Sequence, residues 1–242
     1  MRLVPPAEDV DVRSHAERRV AGLLTAVCSD DGVAYHSVRL PRRPGQAVGE
    51  ADFVVLWKGT ILVLEVKGGR IGRSGKGPWY STDRQGNRHA LRRSPWVQAR
   101  DTAHALLDIL AHPSAGSRWP FAYAVVTPDQ DLIADREGVP HQHIGSERMT
   151  PAGMECSLDA LARLARTPPD DVDHARRPHL RPLRALPVVL TDLRRDIDTL
   201  CPRADAGVLV DRTPAVSGER AGAHDAHQAD PRRFRRRRSR RG

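Results

Sequence analysis

The chain has 242 residues, 39% hydrophobic and 4% aromatic, so it is long enough for a sizeable core that must be built from Val, Leu, Ile and Ala. Its formal charge of +9 is local, because residues 232–241 are arginine-rich and contain no acid, leaving the remainder close to neutral. The 3 cysteines (Cys28, Cys156, Cys201) lie far apart, against a disulfide framework, and no apolar run reaches membrane-spanning length, so a cytoplasmic location without membrane contact is the expectation.

In chain order, residues 1–12 read as an extended lead-in. Ser14 is a candidate N-cap for a helix running to about Val27, with Ala16, Val20, Leu23, Leu24 and Val27 as its apolar stripe. Glu17 sits on the edge of that stripe, where such a residue is usually a solvated flank. Asp30-Asp31-Gly32 marks a turn, Val33–Leu40 a strand that ends at Pro41, and residues 41–49 a loop.

Two apolar, β-branched runs follow, Phe53–Trp57 and Ile61–Val66, joined by Lys58-Gly59 as a β-hairpin. Pairing Trp57 with Thr60 sets the register and predicts Asp52 opposite Glu65 and Glu50 opposite Lys67, all four on one face. Like charges directly opposed are destabilising unless something sits between them, and a divalent cation is suited to that place. The blander reading is a strand end whose charges emerge into solvent and pair with each other. Against it, a chain that otherwise uses Arg places a Lys beside two carboxylates, which suggests a need for the compact ammonium. Away from the charged end both hairpin faces are apolar: Val54, Leu56, Ile61 and Val63 on one, Phe53, Val55, Leu62 and Leu64 on the other. A sheet buried on both faces predicts helices on both sides and an α/β layer architecture.

The segment Gly68–Gly77 is glycine-rich but fails as a P-loop, since Arg70 and Gly77 occupy positions that the motif gives to Gly and Ser/Thr. It reads as a flexible connection bringing Arg70, Arg73 and Lys76 near the charged end of the hairpin. Trp79–Leu91 predicts a small polar hairpin turning at Gln85-Gly86-Asn87. Ser94-Pro95 opens a helix to about Ala111, with Gln98 in its first turn and Ala99, Ala103, Leu106, Leu107 and Leu110 buried. Phe121–Thr127 is a strand stopped by Pro128, where the α/β pattern is expected to end. Residues 129–157 read as loop, Leu158–Arg166 as a short helix, and Leu183–Leu200 as an amphipathic stretch that turns helical after Pro187. His141 and His143 have no tight second pair of ligands to make a zinc site and read as surface histidines. Beyond Pro202 the composition predicts disorder, with a terminal Arg cluster able to bind any polyanion.

Magnesium takes hard oxygen ligands and keeps several waters, so Asp52 and Glu65, with the Val66 carbonyl, suit it or manganese. Such an ion polarises a phosphodiester and lowers the pKa of bound water, while Lys67 is placed to hold the attacking hydroxide or stabilise the transition state. No Cys or Ser is spaced with a His as a covalent nucleophile.

The pattern Asp-x12-Glu-x-Lys, following a helix that carries Glu, resembles the PD-(D/E)xK nuclease superfamily and, more narrowly, a NERD (nuclease-related) domain. Glu17, Glu50-Ala51-Asp52-Phe53, Leu64-Glu65-Val66-Lys67-Gly68, Trp79 and Pro95-Trp96-Val97-Gln98-Ala99 carry that resemblance. It implies a restriction-endonuclease-like α/β core (α-β-β-β-α-β), a central mixed sheet flanked by helices, over 14–127 of a 13–166 domain, with an irregular tail over 167–242. It implies Asp52 and Glu65 as metal ligands, Lys67 as catalytic lysine, Glu17 as an accessory acid and Gln98 as a polar contact. One departure is that Ala16 stands before Glu17, where the family often has Gly. The implied activity is Mg2+- or Mn2+-dependent hydrolysis of nucleic acid, with DNA as substrate. The alternative is a catalytically silent nucleic-acid-binding or recruitment module working with a helicase-like ATPase partner. No Walker motif follows the domain, so the C-terminal third is expected to be a truncated, frame-altered or divergent remnant.

Overall fold

A computed structural model describes residues 1–6, 14–29, 32–41, 49–73, 75, 77–110, 119–131, 140–167 and 187–201. All of them belong to one compact unit, Met1–Val208; the other unit is Leu209–Gly242. The expectations for residues 202–242 and for Lys76 therefore fall outside the described residues.

The first helix, α1 (His15–Ala26), begins at the expected cap: Ser14 Oγ accepts the Glu17 N–H at 3.1 Å. Nine strands are described: β1 (Arg2–Val4), β2 (Val33–Arg39), β3 (Glu50–Trp57), β4 (Thr60–Val66), β5 (Arg70–Arg73), β6 (Trp79–Thr82), β7 (Arg88–Ala90), β8 (Phe121–Val126) and β9 (His143–Ile144). Three further helices are α2 (Pro95–Leu110), α3 (Pro151–Arg166) and α4 (Val188–Leu200). Six strands form one mixed sheet in the order β1-β2-β3-β4-β8-β9. Its β2-β3-β4 centre is antiparallel, and β1, β8 and β9 join in parallel pairings.

The two apolar faces read from the hairpin are the two cores of the molecule. Phe53, Val55, Leu62 and Leu64 are buried with Val20 and Leu24 of α1 and Met154, Leu158 and Leu161 of α3. Val54, Leu56, Ile61 and Val63 are buried with Leu106 and Leu110 of α2 and Leu190, Leu193 and Ile197 of α4. The molecule is thus an α/β layer structure with helices on both sides of the sheet, because strands apolar on both faces must be covered twice.

Four expectations need correction. The lead-in contains β1, which extends the sheet alongside β2. The glycine-rich connection forms β5, which pairs with β6 and β7 in a second, three-stranded sheet. The α/β pattern continues beyond Pro128 through β9, α3 and α4. Finally, α3 starts at Pro151, inside the stretch read as loop, because Thr150 caps it by accepting the Gly153 N–H and Pro151 occupies its first turn. No helix among the described residues is long and apolar enough to cross a membrane.

Candidate active site

The hairpin register is the expected one from Trp57↔Thr60 to Phe53↔Leu64, and there the ladder stops. The rung that would pair Asp52 with Glu65 is absent. Instead the Val66 N–H donates to Asp52 Oδ2 at 2.7 Å. On the other side of β3 the rung between Ser37 and Asp52 is absent too, and Ser37 adopts φ 52°. His36 packs its ring on Phe53, 4.8 Å between centroids, whereas Val38 and Ala51 belong to the opposite core. Strict alternation therefore fails at the level of Asp52, so the expectation that Glu50, Asp52, Glu65 and Lys67 all project from one face is not met. Glu50 lies beside Arg39 at 3.9 Å, and Lys67 turns to Glu65.

The carboxylates are held from several directions. Glu65 is 2% exposed, and its Oε1 accepts from Lys67 Nζ at 2.5 Å. The Gln98 side chain, projecting from the first turn of α2, also hydrogen-bonds Glu65. Burial pushes the Asp52 carboxyl well above the ordinary carboxylate range, and the nearby Glu65 charge adds to it. Burial also raises Glu65, against the opposing pull of the Lys67 charge. Glu17 approaches from the α1 side of the sheet, close enough for its charge to act on both carboxylates and on Lys67.

Glu17 is itself fastened. Its Oε1 accepts from Ser14 Oγ at 2.7 Å, and its Oε2 lies 3.2 Å from Nε2 of the buried His36. The His36 hydrogen bond is the main reason its carboxyl is held below the ordinary range. His36 was not singled out from sequence, although a histidine inside the apolar run of β2 was the available signal.

The five residues named from sequence thus meet at one end of the sheet. Asp52, Glu65 and Lys67 come from the hairpin, Gln98 from α2 on one face and Glu17 from α1 on the other. The start of α1 comes close to Gly68, where a Cβ would stand 3.1 Å from the Ala16 Cβ. The placement of α2 depends on Trp96 and Ala99, which are buried with Ile71 and Trp79 of the small sheet; the Trp79 and Trp96 rings lie 5.2 Å apart.

His143, expected at the surface, is buried instead. Its Nε2 lies 2.8 Å from Thr127 Oγ1 and its ring meets Trp96 edge-on, while His141 is exposed as expected. Cys28, Cys156 and Cys201 are free thiols. Among the described residues no group of three or more His, Cys, Asp or Glu is arranged as a metal cage. What the site offers is a pair of carboxylates, hard oxygen donors that suit an ion retaining part of its water shell.

Against known families, residues 13–128 match the model of the nuclease-related domain, NERD. No curated protein and no solved structure matches the chain. The fold and the family match together make this a nuclease-related α/β domain. Specifically, the chain carries a NERD domain over residues 13–128.

Proposed function

We propose that the NERD domain hydrolyses phosphodiester bonds of DNA, using Mg2+ or Mn2+ held by Asp52 and Glu65. The observation that carries this reading is the crowding of two carboxylates at the end of an apolar sheet, each made harder to ionise by burial. Lys67 compensates one of the two charges, and keeping both carboxyls ionised in a low-dielectric setting is costly unless a further cation does the rest. When bound, the ion would supply Lewis acidity toward a phosphoryl oxygen and an activated water.

The chain's own residues do the positioning. The Val66 N–H fixes one oxygen of Asp52, leaving Oδ1 available. Gln98 and Lys67 orient Glu65. The Lys67 ammonium stands next to the carboxylate pair, where it can stabilise negative charge developing on a phosphoryl group. Glu17, anchored by Ser14 and His36, adds negative charge at the rim and acts through Lys67 and the pair as an accessory acid.

The test is incubation of supercoiled plasmid and linear DNA with Mn2+ or Mg2+, wild type beside Lys67→Ala and Asp52→Ala. Cleavage by the wild type that falls at least about a hundredfold in Lys67→Ala and is lost in Asp52→Ala is the expected result. DNA binding with no cleavage under any metal would instead select the recruitment module, whose activity lies with a helicase-like ATPase partner. Equal cleavage by all three proteins would remove this site from the chemistry.

A further inference from the structure

The stretch from residue 70 to residue 93 holds 7 arginines and lysines and a single acid, Asp83. Outside it and the arginine-rich terminus, acids outnumber bases, so the positive charge of the domain is gathered on the segment that forms the small sheet β5-β6-β7. We propose that the outward face of this sheet is a DNA-binding surface on which Arg70 and Arg88 grip backbone phosphates. The inference rests on the nuclease reading above and adds where the substrate is held.

The strand register fixes which side chains share that face. Arg70, Thr82 and Arg88 stand in one cross-strand row, and Gly72, Tyr80 and Ala90 in the row two residues along. Because side chains alternate along a strand, both rows project to the same side. Ile71 and Trp79 belong to the opposite side, where they are buried against Trp96, Ala99 and Val125. The Arg70–Arg88 row therefore faces away from the core, and both arginines are exposed. Arg88 agrees with this placement, its guanidinium lying 4.5 Å from the centroid of the Tyr80 ring on the neighbouring strand.

The chemistry of this face suits phosphate. Stacking on Tyr80 restrains the Arg88 side chain while its N–H edge stays open to an oxyanion, so less side-chain freedom is lost on binding. Neither Arg70 nor Arg88 forms an ion pair among the described residues, in contrast to Arg93 and Arg100, which share Asp101. Thr82, between the two arginines in their row, adds a hydroxyl able to donate to a phosphate oxygen. The one acid, Asp83, accepts from the backbone N–H groups of Gln85 and Asn87, at 3.0 and 2.8 Å, and lies 3.1 Å from His89 Nε2. Its charge is thus engaged in holding the β6–β7 turn, and the arginines are left to a polyanion.

The surface is also firmly mounted. The Gly69 and Ile71 N–H groups donate to the side chains of Asp129 and Gln130, at 3.0 and 2.7 Å, which ties β5 to the segment after β8. On its inner side the sheet packs on α2, the helix whose Gln98 hydrogen-bonds Glu65. DNA gripped by Arg70 and Arg88 is thereby held by the body that carries the carboxylate pair.

The experiment measures binding of fluorescent DNA duplexes of two unrelated sequences to the full chain, without divalent metal, over a salt series. Binding to vesicles of phosphatidylglycerol and phosphatidylcholine is measured alongside. Wild type is compared with Arg70→Ala/Arg88→Ala, Arg70→Lys/Arg88→Lys and Arg163→Ala/Arg195→Ala, the last removing equal charge from exposed positions on α3 and α4. Arg70→Ala/Arg88→Ala is expected to weaken binding at least about tenfold on both sequences and to reduce the salt slope by about two. The Lys pair, which keeps the charge, should retain most of that slope, and Arg163→Ala/Arg195→Ala should bind nearly as the wild type does. The inference is overturned if the loss in Arg70→Ala/Arg88→Ala is no larger than in Arg163→Ala/Arg195→Ala, if it is confined to one sequence, or if it appears with the vesicles and not with DNA. Because no metal is present, failure here leaves the cleavage experiment standing, and a protein that binds DNA through this face without cleaving it loses the nuclease reading alone.

Discussion

Asp52 and Glu65 illustrate how much a single side chain's environment decides. Both carboxyls are pushed upward chiefly by burial, and Asp52 also by the Glu65 charge. Replacing Asp52 by Asn removes one of two charges that burial penalises, while the amide oxygen can still accept the Val66 N–H. In metal-free buffer at pH 8, Asp52→Asn should therefore melt no lower than the wild type, and on the proposed reading it should lose the rise in melting temperature that Mg2+ or Mn2+ gives the wild type. Thermal denaturation with and without metal checks both halves; an equal metal-dependent rise in the two proteins would exclude Asp52 as a ligand. Lys67 and Gln98 were legible from their spacing to Glu65 and from the Pro-Trp-x-Gln-Ala motif. His36 and the burial of His143 were not, since each depends on a partner distant in sequence: Glu17 for the first, Thr127 and Trp96 for the second.

At the scale of elements, the junction between α1 and the end of β4 decides whether Glu17 reaches the site. Ala16 lies close to Gly68, where an added Cβ would stand 3.1 Å from the Ala16 Cβ, so a side chain there would require a shift of a few tenths of an ångström. Gly68→Ala should cost about 1 kcal/mol as α1 shifts to make room, and adding Ala16→Gly should recover part of that loss despite the helix penalty of glycine. A double-mutant cycle read by urea denaturation measures the coupling; purely additive effects would mean that the two residues do not share the contact. The main elements were legible because cap, proline and period signals are local. Even α3 carried its signature, Thr150-Pro151, of the same kind as Ser94-Pro95, and its start was misplaced because the preceding stretch lacks periodicity. The loss of alternation at Ser37 and Asp52 was not legible, since period-two reasoning assumes an unbroken ladder on both sides of a strand.

For the whole molecule, the segment matching the family model ends before α3 and α4, yet both helices bury residues in the sheet's two cores. The edge with α4 is also tied by polar contacts, since Tyr35 donates to Asp196 Oδ2 at 2.7 Å and Arg2 meets the same oxygen at 2.5 Å. The domain as a folding unit is thus larger than the recognisable motif. Leu193, fully buried on α4, tests this: Leu193→Ala should destabilise the protein by about 2–5 kcal/mol by leaving a cavity in the core between α4 and the sheet. An unchanged denaturation midpoint would show that α4 is not part of the cooperative core.

By itself the sequence determined the layer architecture, the hairpin register through Phe53 and Leu64, and the grouping of Asp52, Glu65, Lys67, Glu17 and Gln98 as one set. These follow from periodicity and spacing, which act over a few residues, and from a family resemblance carried by short motifs. Only the tertiary structure decided that the set gathers at the end of the sheet, with Gln98 and Glu17 arriving from opposite faces. It also decided that the Val66 amide takes Asp52 in place of a ladder partner, and that β5 to β7 pair into a second sheet. Those features arise where strands lose their partners at the end of the sheet, and no local pattern in the chain encodes which distant groups meet there.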